Sequence, residues 1–371
     1  MGSRPLETDG CRLHRAYGEP GEVVYSLNWI GNVVAEFYLP DRLGRLCSAM
    51  VGPKKIQVII AFAALYIIWG STYLGILFAI QTIPPFLMAG LRYLLAGAIM
   101  LAMAWAQGTA GSTIGSWRNA AIVGACLILV GNGGVTIAEK YVPTGLASLI
   151  VATVPIYMIL LGWISGMSPR PQSIIWLGLV GGFAGVALLL GPALRFSGEG
   201  GNHPAIGMSI LLFSSFIWSV GSLYSRRATH QAASSPFLAA AQQMLCGGAL
   251  LLLTGTITGE WPDFHPSKIS ILSIGAFVYL VLIGAVVGFT AYIWLLHHCD
   301  PAKVATYAYV NPIVAVLLGA AFAGEAVTLR TLIAAAFIIG SVALVITVQQ
   351  LRAPAQARPV PAAVPEVNCG R

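Results

Sequence analysis

Ten apolar stretches, each long enough to cross a bilayer, follow one another along this chain and leave few folds open to it. A spanning helix needs roughly 20 mostly apolar residues. The stretches are Ile56–Gln81, Pro84–Ala106, Asn119–Thr136, Thr144–Ser165 and Ser173–Ala193, then Ala205–Tyr224, Ser234–Thr258, Ile269–His297, Ala302–Gly324 and Arg330–Gln349. The one at Asn119 is short. Breaks at Gln107–Arg118, Gly166–Gln172, Leu194–Pro204, Arg226–Ala233 and Glu260–Lys268 hold the Gly, Pro or charge expected of turns. Charged residues are only 9% of the chain, against about 25% in a soluble domain. So little charge cannot cover a water-facing surface, but a surface facing hydrocarbon does not need it. The expectation is an all-α membrane protein of about ten transmembrane helices.

The basic residues sit singly at the ends of stretches rather than in one stripe, so the net charge of +7 reads as membrane orientation and not as nucleic-acid binding. With a cytoplasmic N-terminus, that side receives Lys54, Lys55, Arg118, Arg170, Arg226, Arg227, Lys303, Arg352 and Arg358. The other side receives Lys140, Arg195, Lys268 and Arg330. Both termini are therefore expected to be cytoplasmic. Six scattered cysteines contain no C-x-x-C pair, so neither a disulfide framework nor a metal site is expected. Residues 1–53 mix charge, Gly and Pro with short apolar runs and lack the apolar core of a signal peptide. They read either as an extension with little fixed structure or as sequence upstream of a translation start at Met50. Residues 351–371 are rich in Pro and Ala and are expected to be disordered.

The chain also repeats itself. Pro85-Phe86-Leu87-Met88-Ala89 returns as Pro236-Phe237-Leu238-Ala239-Ala240, and Leu94, Gly97, Ala98 and Leu101 align with Leu245, Gly248, Ala249 and Leu252. Pro155-Ile156 with Leu160-Leu161-Gly162 matches Pro312-Ile313 with Leu317-Leu318-Gly319. Matches in constant order at near-constant offset mark an internal duplication. The expected layout is a first repeat over residues 54–193, a linker over 194–204 and a second repeat over 205–350. Five spans per repeat is an odd number, so the second repeat enters the bilayer from the opposite side. Such inverted repeats place substrate near the midplane and move it by rocking one part against another.

Trp69-Gly70-Ser71-Thr72-Tyr73, Pro84-Pro85-Phe86, Arg92-Tyr93, Tyr141–Ala147, Ala152-Thr153-Val154-Pro155, Tyr309-Val310-Asn311-Pro312 and Gly324-Glu325 together resemble the EamA-type branch of the drug/metabolite transporter superfamily. The resemblance covers roughly Lys55–Leu351. It implies a ten-helix carrier with two EamA repeats, usually in the bacterial inner membrane, that exports or imports small metabolites; export is the expected direction. One departure stands out: Ser168 occupies the place in the first half that Glu325 holds in the second.

Polar side chains inside spans cost a few kcal/mol each and need a reason. Arg92 either meets an anionic group or a gating carboxylate, or it snorkels to the headgroups; its repeat counterpart is Gln243. Glu139 and Lys140 are either a gate that takes a coupling proton or a wet helix end. Glu325 offers the same choice, and His297 and His298 are further titratable candidates. Asn132, within Gly131-Asn132-Gly133-Gly134, lines a cavity or marks close helix packing. Aromatic residues Trp69, Tyr73, Tyr157, Trp218, Tyr307 and Tyr309, with polar neighbours Ser71, Thr72, Ser222 and Asn311, suit the wall of a cavity for an amphipathic solute. Pro155 and Pro312 each remove a helical hydrogen bond and are candidate hinges for gating or coupling. No phosphate-cradling loop is present, so direct ATP drive is not expected, nor is any cofactor. The expected partners are a small-molecule substrate and the lipid bilayer; oligomeric state is left open. The competing reading is a membrane-embedded enzyme acting on a lipid or isoprenoid substrate. Such an enzyme normally clusters intramembrane Asp, His or Glu, and this sequence has no such cluster.

Overall fold

A computed structural model describes residues 55–106, 108, 113–168, 170–195, 204–229, 235–299 and 304–352. Among these, ten apolar helices form the bundle. They are α1 (Lys55–Ala79), α2 (Pro85–Ala106), α3 (Ile114–Ala138), α4 (Thr144–Ile164) and α5 (Ser173–Arg195), then α6 (Pro204–Thr229), α7 (Pro236–Ile257), α8 (Ile271–His298), α9 (Tyr307–Phe322) and α10 (Leu329–Arg352). A helix of 25 residues such as α1 is about 37 Å long, enough to cross a hydrocarbon core of about 30 Å with some tilt. The readings of residues 1–53, of most of the linker and of the tail beyond Arg352 fall outside the described residues.

Helix pairing has the two-fold symmetry that the repeat implies. α2 packs on α7 and α5 on α10, while α1 lies against α9 as α6 lies against α4, and α1 against α8 as α6 against α3. Exchanging the halves maps every one of these contacts onto another or onto itself. Small residues sit at the axis. A methyl group added at Gly248 would fall 2.9 Å from the Leu94 nitrogen and 3.0 Å from the Gly90 oxygen, and one at Gly97 would fall 3.0 Å from the Leu245 nitrogen. Backbone therefore meets backbone across α2 and α7, the way membrane helices gain contact without a hydrophobic driving force. Outward faces remain apolar, with Ile59, Ile67, Leu177, Leu317 and Phe337 exposed to what would be lipid.

Three spans depart from the boundaries read from sequence. α3 begins five residues before Asn119, because Thr113 and Ser116 form a reciprocal cap (Ser116 N to Thr113 Oγ1, 3.2 Å; Thr113 N to Ser116 Oγ, 3.1 Å). Polar Ser116, Arg118 and Asn119 thus occupy its first turns. α4 breaks at Ala152-Thr153 and resumes at Val154, so Pro155 opens a helical segment rather than kinking the interior of one. Pro312, by contrast, lies inside α9, which is shorter than the expected Ala302–Gly324 because Ala305-Thr306 forms a turn.

α3 and α8 share a further feature. Each widens into an eight-residue π-helical stretch, Ala125–Asn132 in α3 and Leu280–Val287 in α8, and each stretch ends at a glycine, Gly133 or Gly288. Widened turns of this kind collect at functional sites. Here they occupy corresponding helices of the two halves.

Candidate functional site

Each widened stretch receives a tryptophan from the other half. Trp69 of α1 lies over Gly288, where an added methyl would approach its Nε1 to 2.5 Å, and the Trp218 ring of α6 covers Gly131 at the same 2.5 Å. Around Trp69, edge and tilted contacts bring together Phe289 (5.5 Å between centroids), Tyr292 (5.2 Å) and Tyr307 (5.0 Å), with Tyr292 and Tyr307 6.0 Å apart. Offset and edge-on geometries such as these are the favoured ones for aromatic pairs. Tyr292, which is not among the cavity residues read from the sequence, belongs to this cluster.

One turn along α8, Gly284 makes room for Thr72 and Arg92: an added methyl would lie 3.2 Å from Thr72 Cγ2 and 3.6 Å from Arg92 Nη2. Arg92 sits about 10 Å below the start of α2 and is 5% exposed, so it does not snorkel to either headgroup layer. Its guanidinium stands 4.8 Å from the centroid of the Tyr93 ring, within cation–π range. Its Nε has no hydrogen-bond partner among the described residues.

Glu139 closes α3 and is 4% exposed, while Lys140 beside it is exposed. The two do not act as a pair: the carboxyl turns into the bundle and the ammonium turns out. Among the described residues, both carboxyl oxygens of Glu139 lack a hydrogen-bond partner, as does Thr144 Oγ1 at the start of α4. Burial pushes the Glu139 carboxyl well above the usual carboxylate range, Glu325 adds to the rise, and Arg92 opposes it. Tyr73 is within electrostatic reach of Glu139. A buried arginine, a buried carboxyl and a buried hydroxyl, all with unpaired polar atoms, thus gather where α1, α2, α3 and α4 meet. Unsatisfied groups of this kind are rare and call for an explanation.

The remaining candidates divide. Ser71 donates to the Ile68 carbonyl (2.9 Å) and shares a hydrogen bond with the Tyr279 hydroxyl (2.6 Å), and Thr72 donates to the Trp69 carbonyl (2.7 Å). Asn311, with its amide turned to donate, reaches the carbonyls of Tyr66 (3.3 Å) and Tyr307 (3.2 Å), tying α9 to α1. Asn132 donates to the Leu127 carbonyl (3.1 Å), five residues back, and so helps hold the widened turn. Other expected cavity residues lie elsewhere. Tyr157 meets Phe183 and Phe216, both partly exposed on the bundle surface, and Tyr309 packs into the apolar cluster of α4, α5 and α10. Neither has a ring contact with Trp69 among the described residues. Gln243 and Ser222 are half-buried; it is the neighbouring Gln242, 1% exposed, that bonds to Ser116 Oγ (3.3 Å) across α7 and α3. His297 and His298 are exposed at the far end of α8, with His298 stacked on Trp294.

Glu325 is not helix-end chemistry of its own helix. It reaches across from the α9–α10 turn and accepts the backbone N–H groups of Thr144 (2.6 Å) and Gly145 (3.0 Å), capping α4 in the other half. A cleft of about 200 Å³ opens beside it, lined by Pro143, Leu146, Val316 and Thr331 among others. Glu260, passed over in the sequence as a charge in a turn, does the same for α2: it accepts the N–H groups of Phe86 (3.2 Å) and Leu87 (3.0 Å). The signal that could have found it was the dipeptide Gly259-Glu260 after an apolar span, repeated as Gly324-Glu325.

These features define a helical membrane protein of two matched five-helix halves with an ionisable, aromatic-flanked centre. The chain belongs to the EamA-like transporter family, whose model matches residues 56–191 and 205–347, one match for each half. It is 37% identical over 288 residues to the uncharacterized inner membrane transporter YedA of Escherichia coli K12, covering 77% of this chain and 89% of the relative. It is 29% identical over 297 residues to the uncharacterized transporter YvbV of Bacillus subtilis, covering 79% and 92%. A solved structure titled only as a crystal structure of protein superposes with a TM-score of 0.55 at 21% identity, over 80% of this chain and 99% of that one, which supports the fold alone. The protein is a membrane transporter.

Proposed function

We propose that the protein is a secondary carrier that moves a small organic solute across an inner membrane by alternating access, in the direction of export. The observation that carries this reading is the Arg92–Glu139 group: a buried arginine two turns inside α2 and a buried carboxyl at the end of α3, each with polar atoms that have no hydrogen-bond partner among the described residues. Intramembrane charges of this kind mark substrate or ion pathways. Beside them, Trp69, Tyr292 and Tyr307 offer aromatic surface to an amphipathic solute, and Thr72 and Tyr73 offer hydroxyls. Widened turns in α3 and α8, the break in α4 and Pro312 in α9 supply bending points in both halves. Glu139 is the coupling candidate, because its environment favours the protonated form and Arg92 competes with that proton. Charge distribution supports cytoplasmic termini. Among the described residues, Lys55, Arg118, Arg170, Arg226, Arg227 and Arg352 are at the side where α1 begins, against Lys140, Arg195, Lys268 and Arg330 at the side where α2 and α4 begin.

The test is solute flux in proteoliposomes with and without a pH gradient, using a metabolite mixture from cells that overexpress the protein. Saturable flux that responds to the gradient is expected, with at least a ten-fold loss in Arg92→Ala and in Trp69→Ala. Normal flux in both variants would refute the site.

A further inference from the structure

Glu260 and Glu325 share more than a capping role. In each case an apolar helix of the second half ends through a glycine in the left-handed region, Gly259 (φ 75°) or Gly324 (φ 66°), and the next residue is the glutamate. Each glutamate returns its own N–H to a glycine carbonyl one turn or more back, Glu260 to Gly255 (2.9 Å) and Glu325 to Gly319 (3.1 Å). The absence of a side chain at those glycines leaves space for the carboxyl: an added methyl would stand 3.3 Å from Glu260 Oε2 and 2.5 Å from Glu325 Oε2. Each carboxyl then spans the half-to-half boundary and accepts two N–H groups at the start of a first-half helix. Ends of odd-numbered helices and starts of even-numbered ones share one side of the bilayer, so both clasps close the same mouth.

Among the described residues, the other mouth is built differently. The first-half counterpart of Glu325 is Ser168, whose N–H makes the equivalent bond to the Gly162 carbonyl (2.9 Å) but whose side chain carries no charge. Gly108 (φ 70°) is the counterpart of Gly259, and the residue after it is Thr109. Among the described residues, ties at that mouth join neutral side chains, such as Tyr224 to Asn119 (2.9 Å) and Gln242 to Ser116 (3.3 Å). Hydrogen bonds to a charged acceptor are roughly twice as strong as neutral ones.

We propose that Glu260 and Glu325 form a paired latch that holds first-half helices α2 and α4 to the second half and shuts the mouth at which those helices begin. The carrier consequently rests with that mouth closed, and opening it to release solute requires both carboxyls to let go of their helices. This inference rests on the alternating-access reading, and it reaches residues which that reading does not use. An ordinary helix cap would order only the two amides it touches. A latch also governs whether water reaches the interior, including the Ser71–Ala79 segment of α1, which neither glutamate contacts.

Hydrogen–deuterium exchange of the full chain in lipid nanodiscs separates the two. In Glu260→Gln the Phe86 and Leu87 amides are expected to exchange at least ten-fold faster, and in Glu325→Gln the Thr144 and Gly145 amides likewise. The double variant is expected to add a gain of similar size across Ser71–Ala79. Should the double Gln variant not fold, Glu260→Gln combined with Gly319→Ala, which crowds the Glu325 carboxyl out of place, is expected to give the same gain there. Faster exchange confined to the capped amides, with Ser71–Ala79 unchanged in every variant, overturns the latch. Flux measured on the same preparations keeps the two ideas apart: wetting of Ser71–Ala79 with no flux in the unaltered protein supports the latch and refutes the carrier.

Discussion

A guanidinium two turns below the start of a membrane helix costs about 2.5–3.5 kcal/mol on insertion scales, and Arg92 bears that cost with an unpaired Nε. If its role is to meet solute, both its charge and its planar fork matter. Arg92→Lys, which keeps only the charge, is then expected to lose transport nearly as fully as Arg92→Ala in a liposome flux assay. Glu139 makes a different prediction, on stability. Its folded-state pKa is raised, so above 4.5 the folded protein retains a proton that the unfolded chain has released. Stability therefore falls as pH rises from 4.5 through the folded value, and Glu139→Gln should flatten that fall when melting temperature is followed against pH. Arg92 was legible in the sequence because one charge interrupts an apolar run. Which of Glu139 and Lys140 turns inward was not, since adjacent residues at a helix end point in different directions and only the packing of α1, α2 and α4 decides between them. Glu260 was lost for a plainer reason: a charge in a turn looks solvated until its partner, a helix start 173 residues away, is known.

Helix existence followed directly from apolar length, and helix ends did not. α3 extends back through Ser116 and Arg118 because polar side chains are comfortable in the first turns, at headgroup level, whereas α4 breaks at Ala152-Thr153 with no change in hydropathy at all. The widened turns of α3 and α8 were equally silent, being written in ordinary apolar residues. They are testable because each is a local excess of backbone. Deleting one residue within Ala125–Asn132 should restore regular helix and remove the bending point while leaving Glu139 facing the bundle, because the widened turns already take up about one extra residue. Loss of flux with retained helicity by circular dichroism is the expected result. At the α2–α7 contact, Gly248→Ala places a methyl 2.9 Å from backbone, so a loss of about 1–3 kcal/mol is expected in thermal unfolding. The same change at Gly340, where an added methyl meets nothing, should be nearly silent.

For the molecule as a whole, the duplication was the most productive sequence observation, because an odd number of spans per copy already fixes how the copies face one another. The helix pairings and the two family matches agree with it. What the repeat could not convey is where the copies have ceased to be equivalent. Arg92 corresponds to Gln243 between the repeats and Glu325 to Ser168, so the proposed binding group and the proposed clasps belong to different halves. Asymmetry of this kind has a consequence for rebuilding the protein from its parts. A tandem of two N-terminal halves would carry two arginines and no clasp. A tandem of two C-terminal halves would carry clasps at both ends of the pathway and no arginine with which to greet a solute. Neither homogeneous tandem should transport, although each preserves every span, and the natural order of unlike halves is what gives the passage a front and a back.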